Sequence, residues 1–532
     1  MNEKPFGSGH FGEWIEDEFG LPAYRYACDQ TRDPDASSVT HPEWRLPTDH
    51  SHQVGNDRLV AVASNYGYVQ VRQDEGGPKF LNDYDPPNHR YGGGFGYLTD
   101  GGCTLSTFYP GGAETFERTF GMGYLRKTVT GHGYVVDQTV FAPFGDDPLL
   151  ISQAAVTNQR PEAVHLRWIE YWDCQPFQLT FKASIVSLFK KGKVHPVDLR
   201  RALSNRFQHR QRVTGSSEGL LDEQTFLGYS LPEKLQWAAV QAVMGTVGRK
   251  LVAHPVKPPV SEASFDDTNP PPVFLVSLDG PADGLATDPA AFFGQGGVER
   301  PAGLAKPLPP VGALNGSALI IERRFTLQPG ETRALSFAFG YLPDGVELEP
   351  LLAKYRRDLP GLLGRSSQMW KSGRIAFSAP GEAWVDRELA WHQYYLRSNL
   401  TSDSFFNEHI LSQGHVYQYL MGFQGAARDP LQHALPFTFS QPEIVRQVIR
   451  YTLKEVLPDG EIPYGITGHG MIMPAPFRPS DQEMWLLWLA GEYVLATRDL
   501  AFLDEEVPTY PVYGPKARRM KVRDILALCY RH

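Results

Sequence analysis

Apolar and polar positions follow two different rhythms along the chain. From about Asp57 to Phe339 the runs are short and β-prone. Tyr134–Phe141 (YVVDQTVF), Leu149–Thr157 (LLISQAAVT), Ala318–Phe325 (ALIIERRF) and Arg333–Leu342 (RALSFAFGYL) are each bounded by Gly, Pro or Asp, the pattern of strands between turns. Glycine pairs and triplets punctuate this half at Gly76-Gly77, Gly92-Gly93-Gly94, Gly101-Gly102 and Gly111-Gly112. Many short strands with Gly-rich turns predict an antiparallel sandwich or barrel rather than alternating β-α units. After Leu342 the period becomes helical. Helices are expected over Glu347–Leu359, Glu382–Asn399, Asp429–Leu435, Glu443–Val456, Asp481–Ala496 and Lys521–His532. In the second of these Trp384, Leu389 and Tyr395 fall near helical spacing. Ser440 and Pro442 open the fourth, and Pro458-Asp459-Gly460 ends it. Ser440 aside, the best N-terminal signal is Ser480 with Glu483 three residues on, a capping box. Helix after helix, joined by loops rich in Gly, Pro and aromatics, suggests a toroid.

The predicted fold class is therefore α+β and multidomain. An N-terminal segment, 1–56, precedes a β-sandwich at 57–342. A linker helix occupies 343–380, and the first part of a helical toroid fills 381–532. Two stretches look like insertions in the sandwich. Residues 183–253 mix helix-compatible runs with basic residues (Lys190, Lys191, Arg200, Arg201, Arg206, Arg210, Arg212) that read as a solvated face. Residues 256–311 are dense in proline and small side chains, a surface excursion or extended linker rather than core.

Composition narrows the function. With 532 residues, 42% hydrophobic and 21% charged, the chain is ordinary globular protein with several domains' worth of length. Thirty Phe, 24 Tyr and 10 Trp exclude disorder as the dominant state. A net charge of −9 argues against a nucleic-acid partner. The four Cys lack CxxC spacing, so neither a disulfide framework nor a zinc site is indicated. No apolar window reaches membrane-span length, and the acidic N-terminus is unlike a signal peptide. A cytoplasmic protein without a membrane partner is the expectation. The aromatic share of 12% suits sugar stacking, but a β-rich core accounts for it equally well.

Candidate chemistry concentrates in the helical half. The loop Gln413–Leu435 (QGHVYQYLMGFQGAARDPLQHAL) offers Gln413, His415, Tyr417, Gln418 and Gln424 and leads into Arg428-Asp429. An Arg-Asp pair at a helix start either caps the first turn or grips neighbouring ligand hydroxyls through charge-assisted hydrogen bonds. The cap is the commoner use. A second loop, from Asp459 to Trp485, brings Asp459, Glu461, His469 and Asp481 toward one end of a toroid. Trp485, Trp488 and Tyr493 share one helix, at spacings more typical of packing than of a sugar platform. The 16 His show no HxxxH or HExxH, so no metal or other cofactor is expected. GxSxG is absent, and Gly92–Gly96 (GGGFG) lacks the GxxxxGK[ST] phosphate loop. Carboxylate chemistry remains, as used on glycosidic bonds.

In this order the motifs resemble a known family. YGYVQVRQDEGGP, GGGFGYLTDGG and DQTVFAPFGDDPLLISQAAVTN come first, then a linker helix. QGHVYQYLMGFQGAARDPLQ, SDQEMWLLWLAGEYVLATRD and LDEEVP follow. From about Tyr66 onward the chain is similar to glycoside hydrolase family 94, the cellobiose and chitobiose phosphorylases, and to the related domain of cyclic β-1,2-glucan synthases. The resemblance implies a sandwich, a linker and an (α/α)6 barrel, commonly as a homodimer. It also implies inverting phosphorolysis of β-linked glucosides or oligosaccharides to a sugar 1-phosphate, with inorganic phosphate as co-substrate. By this resemblance Arg428 and Asp429 hold the sugar next to the scissile bond, and Gln432 matches the motif's glutamine. The expected substrate-binding set is Arg428, Asp429, Gln432, Gln413, Asp481 and Trp485.

Two positions depart from the family pattern. His433 stands where an Asp usually ends RDxxQD, and Gln482 stands where a second Asp follows Asp481. The family's general acid and phosphate ligands are expected beyond His532, and the roughly twelve barrel helices are only half accounted for. Two other functions fit the same residues. One is a hydrolase or transglycosylase using Asp429, Asp459 and Glu461. The other is a carbohydrate-binding protein without catalysis.

Overall fold

The computed structural model describes residues 11–27, 50–75, 80–175, 207–229, 270–310, 314–412, 426–466, 479–513 and 516–532. Its first half is built on a ten-stranded antiparallel sheet. In spatial order the strands are Gly12–Glu16, Pro22–Tyr26, Thr115–Gly121, Tyr124–Gly131, Tyr134–Phe141, Leu149–Asn158, Thr332–Tyr341, Val273–Ser277, Gly219–Tyr229 and Phe207–Gly215. A five-stranded sheet runs Gly284–Ala286, Ala318–Leu327, Val164–Asp173, Gly93–Thr99 and Thr104–Ser106. A three-stranded sheet joins Ser51–Gly55, Val60–Ser64 and Val69–Arg72. Leu125, Val136, Trp168, Ile321, Val54 and Ala61, drawn from all three sheets, share one core. Along Tyr124–Gly131 alternate residues are buried, as a period of two requires of a strand with one face on a core.

Three sequence expectations change here. The ten-stranded sheet starts before Asp57, because Gly12–Glu16 and Pro22–Tyr26 form its edge. The proline-rich stretch 256–311 is not a surface excursion throughout. Val273–Ser277 lies between Thr332–Tyr341 and Gly219–Tyr229 and is buried along its whole length. A continuous apolar run buried on both faces has no alternation to betray it, and flanking prolines hid this one. Within 183–253, Phe207–Gly215 and Gly219–Tyr229 continue the same sheet; Lys190, Lys191, Arg200, Arg201 and Arg206 lie outside the described residues. The GGGFG stretch has a packing explanation. A Cβ on Gly93 would stand 2.3 Å from the Trp172 ring, and one on Gly96 would stand 2.3 Å from the Trp168 ring. Those two indoles donate to the same buried carboxylate, Glu170, at 3.1 and 3.2 Å, and Trp172 stacks on Phe339 at 4.1 Å.

Helices follow: α1 (Pro289–Phe293), α2 (Leu348–Arg356), α3 (Leu362–Ser372), α4 (Ala383–Arg397), α5 (Arg428–Ala434), α6 (Pro442–Glu455), α7 (Gln482–Thr497) and α8 (Val522–Arg531). Where one linker helix was expected there are two, α2 and α3, because Pro360 and Gly361 break the run. In α4 the buried positions are Ala390 and Tyr394, while Trp384 and Tyr395 are exposed at 38% and 39%. The helix turns Ala390, Trp391 and Tyr394 to the sandwich. Helices α5 to α8 pack around Leu431, Val445, Val448, Ile449, Leu486, Leu489 and Ile525. The capping box of α7 does not form. Asp481 is the N-cap and makes no side-chain cap bond, and Glu483 accepts from the Ile462 amide at 2.7 Å instead.

The sandwich and the helices meet at a polar seam. Arg397 grips Asp57 with two bonds of 2.9 and 2.8 Å. Gln53 donates to the Ser398 hydroxyl at 2.6 Å, and the Tyr394 hydroxyl donates to the Gln53 carbonyl at 2.5 Å. A Cβ on Gly55 would sit 2.3 Å from the Ser398 carbonyl oxygen, so the two chain segments can approach only at a glycine. His52 is stacked between Phe120 and Trp391. Burial pulls its pKa down to about 4. Among the described residues no helix is long and apolar enough to cross a membrane.

Candidate functional site

The start of α5 is where the expected sugar-binding residues come together. Ala427 donates its amide to the Tyr464 carbonyl at 3.0 Å, and Asp429 donates its own to Ala426 at 3.1 Å. These bonds fix the approach to the helix and turn Arg428 and Asp429 toward the N-terminus of α7. There the Arg428 Nη1 donates to both oxygens of Asp481, at 3.1 and 3.4 Å, and its Nε donates to Asp429 at 3.3 Å. Asp481 first, and Asp429 second, hold the guanidinium charge more firmly than usual. The Arg428 side chain remains 43% exposed and Asp429 14%. A half-open guanidinium braced by two carboxylates presents charged acceptors and remaining N–H groups to solvent. Vicinal hydroxyls are bound by such a set.

The other expected residues divide. Gln432 lies one turn along α5 from Arg428, on the same face and half-buried. Trp485 is partly buried against the helical core, and its ring lies 4.8 Å from that of Trp488. Gln413, His415, Tyr417, Gln418, Gln424 and His469 lie outside the described residues. The two departures from the family pattern both have structural work. His433 Nδ1 bonds the Ser412 carbonyl at 3.1 Å. Gln482 donates to the Tyr464 carbonyl at 3.3 Å, the same oxygen that anchors Ala427.

Sequence reasoning overlooked Glu455, the last residue of α6. It is buried, its carboxyl accepts the Ile466 amide, and burial pushes its pKa well above the carboxylate range. Burial thus disfavours its charged form, behind the segment whose Tyr464 carbonyl anchors Ala427. An acid at the end of an amphipathic helix carries no sequence signal of burial. Asp459 and Glu461 do not join Arg428 in any contact found among the described residues. Their carboxylates instead lie with the His532 ring within 4.8 Å of one another, a grouping able to hold a cation that the sequence spacing did not suggest. A small cavity of about 10 Å³, lined by Phe144, Trp370, Tyr394 and Arg397, lies at the seam with the sandwich. It has room for about one water.

Residues 259–358 match the family model described as glycosyl hydrolase 94, supersandwich domain. The resemblance to glycoside hydrolase family 94 holds. The matched family 94 segment contains Val273–Ser277, Ala318–Leu327, Thr332–Tyr341 and α2. It thus runs from the centre of the large sheet to the first linker helix. Among solved structures, the chain is similar to a protein from the human microbiome assigned as a kojibiose phosphorylase. The identity is 9% and the TM-score 0.52, over 93% of this chain and 58% of that one. At that identity the likeness shows the fold. The chain spans 58% of that structure's length. A family GH92 α-mannosidase from Bacteroides thetaiotaomicron is 7% identical over 85% of this chain and 52% of that one, with a TM-score of 0.32. An aldose epimerase homologue from C. elegans is 12% identical over 55% of this chain and 99% of that one, with a TM-score of 0.25. Overlaps of that quality carry no argument. No curated protein matches the chain. The chain is thus related to carbohydrate-active enzymes through its sandwich.

Proposed function

We propose that the chain is the sandwich and first helical portion of a glycoside phosphorylase-like enzyme, with Arg428 and Asp429 gripping the sugar beside the scissile bond. One observation carries this reading. Arg428 is braced by Asp429 and Asp481 while its guanidinium stays 43% exposed, at the residues that the family resemblance nominates. A helix cap with a surface Arg would need neither the second carboxylate nor the anchored Tyr464 turn. In this reading α4 to α8 are the first helices of an (α/α)6 barrel. The chemistry is inverting phosphorolysis. A phosphate oxygen attacks the anomeric carbon, the glycosidic C–O bond breaks, and a carboxylic acid protonates the leaving oxygen. The products are a sugar 1-phosphate and the shortened sugar.

Cellobiose and kojibiose are the substrates to compare. The first follows from the sequence resemblance and the second from the similar structure assigned as a kojibiose phosphorylase. Titration calorimetry of the chain with each is expected to show binding of one, weakened at least tenfold in Arg428→Ala. Turnover is measured on the protein isolated from its native cells, with and without inorganic phosphate. Sugar 1-phosphate that forms only with phosphate supports the proposal. Equal cleavage in both conditions would replace it with hydrolysis or transglycosylation, and binding without turnover would leave a carbohydrate-binding protein.

A further inference from the structure

Five charged side chains meet where the sandwich touches the hairpin that follows α4. Asp57, Arg58, Glu75 and Asp146 come from the sandwich, and Arg397 from the end of α4. Arg397 is taken up by Asp57, at 2.9 and 2.8 Å. Arg58 lies bidentate on Glu75, with both bonds at 2.7 Å, and gives one further N–H to Asp146 at 3.1 Å. Three carboxylates thus share two guanidinium groups, and Asp146 has only part of one. The backbone around it is held in place. The Asp57 amide donates to the Gly145 carbonyl at 2.9 Å, and the Asn56 side chain donates to the Pro143 and Asp147 carbonyls at 3.2 and 2.8 Å.

His409 completes the set from the other side of the seam. It sits on the strand Glu408–Leu411, with Nε2 2.9 Å from the Asp146 carboxylate and Nδ1 bonded to the side-chain oxygen of Gln447 on α6. With an oxygen before each nitrogen, the ring answers both only as the imidazolium, which donates twice. That charge also balances three carboxylates with three cations. Burial by itself would lower the His409 pKa, but the bond and charge of Asp146, with Gln447 and Asp57, outweigh it and hold it above the ordinary 6.5. The remaining charges nearby are occupied. Glu408 takes Arg450 and Lys454 at 2.8 and 2.7 Å, and Lys354 is paired with Asp147. Gln447 makes no other bond among the described residues, so its amide is free to turn over. The residue after the strand, Ser412, bonds the His433 ring of α5 through its carbonyl. His409 therefore lies on the segment that leads to the helix of Arg428.

We propose that His409 and Gln447 form a proton-operated clasp between the helical region and the sandwich. Protonated, His409 joins Asp146 as an ion pair and donates to the Gln447 oxygen. Deprotonated, it keeps a neutral hydrogen bond to Asp146, Gln447 turns its amide nitrogen to the bare ring nitrogen, and the unbalanced carboxylate loosens the seam. By linkage, the clasp contributes fully below the unfolded value of 6.5 and is lost as pH rises through the higher folded value. His52, at the same seam, has the opposite sign, and its contribution is lost as pH falls from 6.5 to about 4. The seam is therefore firmest near pH 6.5, with one histidine guarding each side. This inference does not depend on what the Arg428 site binds.

Nuclear magnetic resonance of the histidine-labelled full chain, titrated between about pH 5 and 9, reads the ring directly, with the signal missing from His409→Gln giving the assignment. His409 is expected to titrate above 6.5, and Asp146→Asn to lower that value by about one pH unit, since burial then acts without its counter-charge. Lys354→Gln, which touches the neighbouring Asp147, should leave it unchanged. A double-mutant cycle of His409→Gln and Asp146→Asn, read by urea unfolding, should show a coupling of about fivefold in the unfolding constant at about pH 6 that vanishes at about pH 9. A ring that titrates at or below 6.5, or one that Asp146→Asn does not move, overturns the proposal. A coupling of equal size at both pH values overturns it too, because the pair would then be a fixed hydrogen bond.

Discussion

In the sandwich, large side chains and charges alike are closed off. Trp168 and Trp172 are fully buried and share Glu170 as acceptor, and buried Lys127 donates to the Gly67 and Gly94 carbonyls. In the helical region the charged groups that matter stay half-open, and α7 turns an apolar stripe outward. The same chain thus spends its burial differently in two places. The large sheet is covered on both faces, by the other sheets on one side and by α2 and α3 on the other. Among the described residues only the inner face of α7 is covered. What distinguishes scaffold from site in this protein is how far the charged groups are withdrawn from solvent.

Substitutions should separate the two regions by size of effect. The largest is expected from Trp172→Ala, which removes a stacked, fully buried indole and orphans part of Glu170. About 4 kcal/mol of stability should be lost, read as a fall in the urea midpoint. Leu489→Ala, in the inner face of α7, should cost about 3 kcal/mol in the same assay. Acid should loosen the seam next. His52 is neutral when folded, with a pKa of about 4 against an ordinary 6.5. Between those values the unfolded chain binds the extra proton, so stability falls as pH drops through that window, by about 3 kcal/mol in the limit. A His52→Asn variant whose stability falls as steeply between pH 6.5 and 4 would show that another group is responsible.

Arg397→Ala removes the paired bonds to Asp57 and one to Gln441. About 2 kcal/mol is expected, with the far-UV spectrum unchanged. The smallest effect belongs to Leu495→Ala, nearly two turns from Leu489 and 62% exposed on the outer face. In dilute solution it should shift stability by no more than about 0.5 kcal/mol. A loss near that of Leu489→Ala would mean that the stripe is covered within the monomer and that the contrast between the faces is wrong.

The contrast also explains what could be read beforehand. Tyr134–Phe141 has the same bounds in sequence and structure, because its apolar run ends at glycine and proline on either side. Alternation and turn residues act within a few positions, so they survive into the fold. Val273–Ser277 did not show itself, since a strand buried on both faces carries no alternation and its prolines signalled a linker. Arg428, Asp429 and Asp481 were visible as residues. Their mutual grip was not, because 53 positions separate Arg428 from Asp481 and no local rule joins them. Glu455 and Gln482 were invisible as supports, since burial and a shared carbonyl belong to the packed state.

By itself, the sequence determined the two rhythms, the strand and helix segments they produce, and the motifs that resemble family 94. Those properties follow from side-chain volume, polarity and backbone preference over short spans. Only the tertiary structure decided that glycines 93 and 96 exist to admit two indoles. It alone decided that the Ser480–Glu483 box gives way to a bond with Ile462, and that α7 shows one apolar face to the core and another to solvent. Each of these is settled by what lies across the chain rather than along it, where desolvation and close contact outweigh local preference.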